Sequence, residues 1–174
     1  MAELILPFLE EMKNNCVFAG TFDPITIGHA HLIDNCINAY DKVFVVVGEN
    51  PNKTPFLPID VRLNAIKETF KDKVTVINYA DYKENYRQFL MDNNVTFYVR
   101  GIRNDIDMQF EKEYAKKNTI LYPEITTVFM KTKEEFKDVS SSLVRDNILN
   151  KKEYLHLIPN GAREIIFNYL KNQN

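Results

Sequence analysis

Short runs rich in Val, Ile, Phe and Tyr alternate with longer segments whose apolar residues return every three or four positions. The runs predict strands at 16–19, 42–47, 74–78, 96–99 and 125–130. The periodic segments predict helices at 29–40, 59–70, 86–93, 106–121, 142–149 and 162–170. Alternation of this kind implies right-handed βαβ crossovers, and with them a parallel sheet covered on both faces. The near-continuous apolar run at 43–47 suits a strand buried on both sides. The expected fold class is therefore α/β: a Rossmann-like, doubly wound, five-stranded parallel sheet with helices on both faces.

Composition narrows this picture in a few places. The chain has 174 residues and is 45% hydrophobic, enough for one domain with a substantial core. We expect a single domain over 16–174, preceded by an N-terminal extension, 1–15, in which Leu4, Leu6, Phe8 and Leu9 form a short helix. A net charge of -2 argues against a broad grip on nucleic acid. No apolar run is long enough to span a bilayer, so no membrane partner is expected. Cys16 and Cys36 are too few for a disulfide framework and fit a reducing, cytoplasmic setting.

The chemistry concentrates at predicted strand ends. Gly20-Thr21-Phe22-Asp23-Pro24 leaves the first strand, and Gly28-His29 opens the first helix. A helix start offers unpaired N–H groups and partial positive charge to a phosphate, and glycines let backbone approach a ligand. His29 adds an imidazole donor there, whereas His31 and His156 read as ordinary surface or capping residues. His29 and His31 point to different helix faces, so no metal-ligating set is expected. Lys53 follows the second strand in a loop stiffened by Pro51, Pro55 and Pro58. Arg100-Gly101-Ile102-Arg103, read as lying after the fourth strand, offers forked donors beside a bare backbone. Ser140-Ser141-Ser142 precede another helix, a place for capping and for anion binding.

Together the segments GTFDPITIGH (20–29), NKTPF (52–56), VRGIRNDIDMQFE (99–111) and SSSLVR (140–145) resemble the phosphopantetheine adenylyltransferases, of the HxGH/TxGH-type nucleotidyltransferases. The resemblance runs from Cys16 to Leu170 in order and spacing, and the first fifteen residues have no counterpart in it. It implies transfer of an adenylyl group from ATP to 4′-phosphopantetheine, giving dephospho-CoA and pyrophosphate. His29, Lys53 and Arg103 would be catalytic, with Thr21, Lys53, Tyr86 and Arg100 on the acceptor. Thr21, Phe22, His29, Gly101, Ile102, Arg103 and Glu111 would line the ATP site, with Phe136, Lys137, Asp138, Val139, Ser140, Ser141 and Ser142. Mg2+ and a homohexameric assembly are further implications of the family. Asp105 and Asp107 have no role in it and read as helix-start residues.

Two other readings compete. Another nucleotidyltransferase of the same superfamily would act on a different phosphorylated acceptor, such as nicotinate mononucleotide, or use CTP. Its leading motif would more often read HxGH, and its hydroxyl-rich motif would differ from SSSLVR. A non-catalytic nucleotide-binding or assembly protein would be expected to have lost His29, Lys53 or Arg100, and all three are present.

Overall fold

The computed structural model describes residues 14–103 and 105–173, apart from the side chains of residues 105, 106, 107 and 110. The expected helix of the N-terminal extension lies outside the described residues. Five strands form one sheet: β1 (Asn15–Gly20), β2 (Lys42–Val47), β3 (Thr75–Asn78), β4 (Val95–Ile102) and β5 (Thr126–Lys131). Their order is β3-β2-β1-β4-β5, and every pairing is parallel. The chain winds outward from β1 to β3, then returns to lay β4 against the other side of β1. That reversal leaves a crevice beyond the carboxyl ends of β1 and β4.

The period-2 alternation of the strands divides the core. Cys16, Phe18, Val43, Val45 and Val47 face one way, and Val17, Phe44 and Val46 face the other. The first set packs against α1 (Ile27–Ala39), α2 (Ile59–Phe70), α5 (Ser141–Leu149) and α6 (Asn160–Lys171), through Ile33, Ile66, Val144 and Ile166 among others. The second set is covered by α3 (Tyr86–Asp92), through Tyr86, Phe89 and Leu90. The remaining helix, α4 (Asp105–Leu121), connects β4 to β5. A Cβ placed on Gly161 would stand 2.6 Å from the Glu68 carbonyl oxygen and 2.6 Å from Thr69 Cα. Only glycine lets α6 approach the backbone of α2 so closely.

Element ends differ from the sequence expectation in ways that matter for the site. α1 starts at Ile27 with Thr26 as its N-cap, so His29 stands in the first turn and not at its mouth. β4 continues through Arg100 and Gly101 to Ile102, because β5 runs beside it as far as Lys131. The Arg-Gly pair is thus strand, not the turn after a strand. A 3₁₀ segment, Tyr79–Asn85, leads into α3 and puts Tyr79 at the crevice.

Candidate active site

The turn after β1 is held by partners far away in sequence. The Asp23 carboxylate accepts from the Phe56 and Leu57 N–H groups at 2.7 and 2.8 Å, fixing the loop that carries Lys53. Arg145 Nη1 donates to the Asp23 carbonyl at 2.6 Å, and Ser141 Oγ to the Pro24 carbonyl at 2.7 Å. These two bonds bring the N-terminus of α5 over the same turn. Phe22 sits at φ 47°, an uncommon conformation for a bulky residue. Its ring meets His29 edge-on at 5.2 Å, and a Cβ on Gly20 would stand 3.1 Å from that ring. The room at Gly20, expected to admit a ligand, is taken by Phe22.

His29 is held by its own helix cap. Thr26 Oγ1 accepts from the His29 N–H at 3.3 Å, and the Thr26 N–H donates to His29 Nδ1 at 3.2 Å. This is a reciprocal capping box with imidazole in the place usually held by a Glu or Gln carbonyl or carboxylate. Burial, helped by the positive charge of Arg103, lowers the His29 pKa to about 4. The ring is therefore neutral near pH 7. A backbone N–H can only donate, so Nδ1 is the acceptor and the ring proton resides on Nε2.

The crevice at the switch point is a cleft of about 790 Å³. Thr21, Phe22, His29, Tyr86, Arg100, Gly101, Arg103, Glu111, Val139, Ser140 and Ser141 all line it. Lys53 and Ser142 line a smaller cavity of about 230 Å³, which shares Thr21, Glu49, Asn50 and Ser141 with the cleft. Ile102 is buried, Lys137 pairs with Glu134, Asp138 is exposed, and Phe136 packs on His31 at 5.4 Å. These four stand apart from both cavities. Arg100 grips Glu111 bidentately at 2.6 and 3.0 Å and lies 4.3 Å over the Tyr114 ring. The three serine hydroxyls have protein partners: Ser140 caps α5 by accepting from Leu143, Ser141 donates to Pro24, and Ser142 accepts from Arg145. The triple serine thus orients a helix N-terminus, whose backbone N–H groups remain the natural anion donors.

Several lining residues were not anticipated. Beside the expected Tyr86, residues Tyr79, Tyr98, Tyr114 and Tyr122 wall one end of the cleft, with the Tyr86 and Tyr98 hydroxyls 3.5 Å apart. Burial pushes both phenols above their ordinary range. Asn118 lines this end too, and its buried Nδ2 has no hydrogen-bond partner among the described residues. Arg62 is 1% exposed at the floor of the small cavity. A cation among Val61, Ala65 and Ile66, on the apolar face of a helix, was the signal available in the sequence for it.

A cleft at the topological switch point, beside a helix N-terminus, defines a nucleotide-binding α/β protein. Residues 17–147 match the cytidylyltransferase-like family. A phosphopantetheine adenylyltransferase from Flavobacterium psychrophilum is 37% identical over 149 residues, covering 84% of this chain and 96% of that protein. One from Campylobacter hominis is 31% identical over 150 residues, covering 85% and 92%. The chain belongs to the phosphopantetheine adenylyltransferase family. Among solved structures, a protein from Vibrio parahaemolyticus assigned as a nicotinate-nucleotide adenylyltransferase aligns with a TM-score of 0.67 at 17% identity, over 90% of this chain and 93% of that one. A bifunctional NMN adenylyltransferase/ADP ribose pyrophosphatase from Francisella tularensis aligns at 0.65 and 16%, over 92% of this chain and 50% of its own. At such identities these two structures share the fold.

Proposed function

We propose that this chain transfers the adenylyl group of ATP to 4′-phosphopantetheine, releasing pyrophosphate. An acceptor phosphate oxygen attacks the α-phosphorus, a new P–O bond forms, and the bond to the β-phosphate oxygen breaks. The observation that carries this reading is His29: a neutral imidazole whose Nδ1 is committed to Thr26, leaving Nε2–H as a donor beside the cleft. Such a preorganised donor stabilises charge developing on the α-phosphate without needing a covalent nucleophile. Thr21, Lys53 and Arg100 meet the acceptor phosphate, while Arg103 and the N-terminus of α5 hold the triphosphate. The tyrosine-walled end, with the unpartnered Asn118 amide, suits an acceptor arm that carries amide groups.

Among the described residues no group of three or more His, Cys, Asp or Glu suited to a metal occurs; Mg2+, which the family resemblance implies, would be carried in by the triphosphate. When bound, it neutralises phosphate charge and favours departure of pyrophosphate. We further propose a cytoplasmic homohexamer, as the family resemblance implies. No helix among the described residues is long and apolar enough to cross a membrane. The test is pyrophosphate release with ATP or CTP against a panel of phosphorylated acceptors. Release is expected with ATP and phosphopantetheine; preference for CTP or nicotinate mononucleotide would transfer the assignment to the competing nucleotidyltransferase reading.

A further inference from the structure

Arg62 belongs to α2, yet its guanidinium reaches the ends of two strands. Nη1 donates to the Thr21 carbonyl at 2.9 Å and to the Gly48 carbonyl at 3.2 Å. Nε donates to the Leu57 carbonyl at 3.0 Å, and Nη2 to Glu49 Oε1 at 3.1 Å. The Glu49 side chain is 58% exposed, so the carboxylate is largely screened, whereas the guanidinium is buried and spends its donors on three backbone carbonyls. Burying an arginine is costly unless its donors are hydrogen-bonded, and its fixed fork supplies a geometry that no apolar residue could. Here the fork joins the turn carrying Thr21 to both ends of the loop carrying Lys53. The Gly48 N–H, which donates to the Gly20 carbonyl at 2.9 Å, closes the connection.

We propose that Arg62 is a positioning residue that sets the spacing between Thr21 and Lys53, and with it the seat of the acceptor phosphate. The inference rests on the acceptor reading above. Its distinctive consequence is that Arg62 governs recognition of the phosphate and not of the rest of the acceptor. Lysine at this position keeps the charge but loses the fork, and displacements of about 1 Å in such sites cost on the order of 10²-fold.

The experiment compares phosphopantetheine with dephosphorylated pantetheine by calorimetry, in wild type, Arg62→Lys and Gly161→Ala. The last is a control for lost stability at a residue of α6 that lines neither cavity. Arg62→Lys is expected to weaken phosphopantetheine roughly 10-fold or more with pantetheine unchanged, and to lower kcat; Gly161→Ala is expected to change neither affinity. Equal weakening of both ligands by Arg62→Lys, or no weakening, overturns the proposal. Amide exchange in wild type tests the coupling of the two loop ends should Arg62→Lys fail to fold. Phosphopantetheine should slow exchange around Gly48 and around Leu57 together, and slowing confined to one segment overturns the coupling. If wild type binds no phosphopantetheine, the acceptor reading itself has failed, an outcome distinct from either of these.

Discussion

The Thr26 N–H donates to His29 Nδ1 at 3.2 Å, and this bond decides which imidazole nitrogen is left for the cleft. The same two residues also close the first turn of α1, so the cap and the proposed catalytic donor are one device. A threonine cap normally contributes about 1 kcal/mol. Here it also fixes the tautomer, which a freely rotating histidine would lack.

His29→Gln should therefore fold and fail. Glutamine can still complete a capping box, but its amide does not reproduce the Nε2–H of the ring. Turnover is expected to fall about 10²–10³-fold, the usual cost of removing one preorganised oxyanion donor. Steady-state pyrophosphate release, alongside a thermal melt to establish folding, makes the comparison. A folded variant with near-wild-type kcat would take His29 out of the chemistry.

Stability should depend on the same ring. The folded-state pKa of about 4 lies below the ordinary value of 6.5, so the unfolded chain binds the extra proton between those limits. The neutral ring's contribution is fully present above about pH 6.5 and is lost as pH falls toward 4. The linkage is on the order of 3 kcal/mol. Urea denaturation at pH 7 and pH 5 should show a larger loss for wild type than for His29→Gln. Equal losses would mean that His29 titrates normally in the folded protein.

The strand–helix alternation was legible because buried parallel strands and amphipathic helices leave different periods in the sequence. The end of β4 was not. Arg100 and Gly101 are poor strand residues, and only the ladder to Phe129 and Met130 makes them part of the sheet. His29 was legible from its glycine-punctuated turn, but its reciprocal bond with Thr26 was hidden, since the sequence signature of a capping box asks for Glu or Gln. Arg62 stayed hidden for a topological reason: its Thr21 and Gly48 partners lie 41 and 14 residues away. The tyrosines of the cleft come from the 3₁₀ segment, α3, β4, α4 and the turn after α4, and no local pattern gathers them.

Gly161→Ala should destabilise without touching the site. The added methyl would meet backbone atoms of Glu68 and Thr69 at 2.6 Å, and backbone cannot swing aside as a side chain can. Overpacking of this sort costs about 1–3 kcal/mol. The denaturation midpoint should drop while kcat/KM for ATP stays within about twofold, a margin well below the 1.4 kcal/mol of a tenfold effect. An unchanged midpoint would show that α6 can move off α2 at little cost.

In the proposed reaction Lys53 and Arg100 would reach the acceptor phosphate from opposite sides of the sheet centre, one after β2 and one within β4. Arg100 already spends Nε and Nη2 on Glu111, so it is held in place before any ligand arrives. Lys53 is exposed in the loop that Asp23 anchors at Phe56 and Leu57. Each charge-assisted bond to phosphate is worth about 1.5–3 kcal/mol, so either alanine variant should weaken phosphopantetheine roughly 10- to 100-fold. Because Arg100 is prepositioned, Glu111→Gln should reproduce part of the Arg100→Ala defect, whereas Lys53→Ala should be insensitive to it. A double-mutant cycle measured by calorimetry tests that difference. Strong coupling between Lys53 and Glu111, or none between Arg100 and Glu111, would mean that the ion pair does not aim the guanidinium at the acceptor.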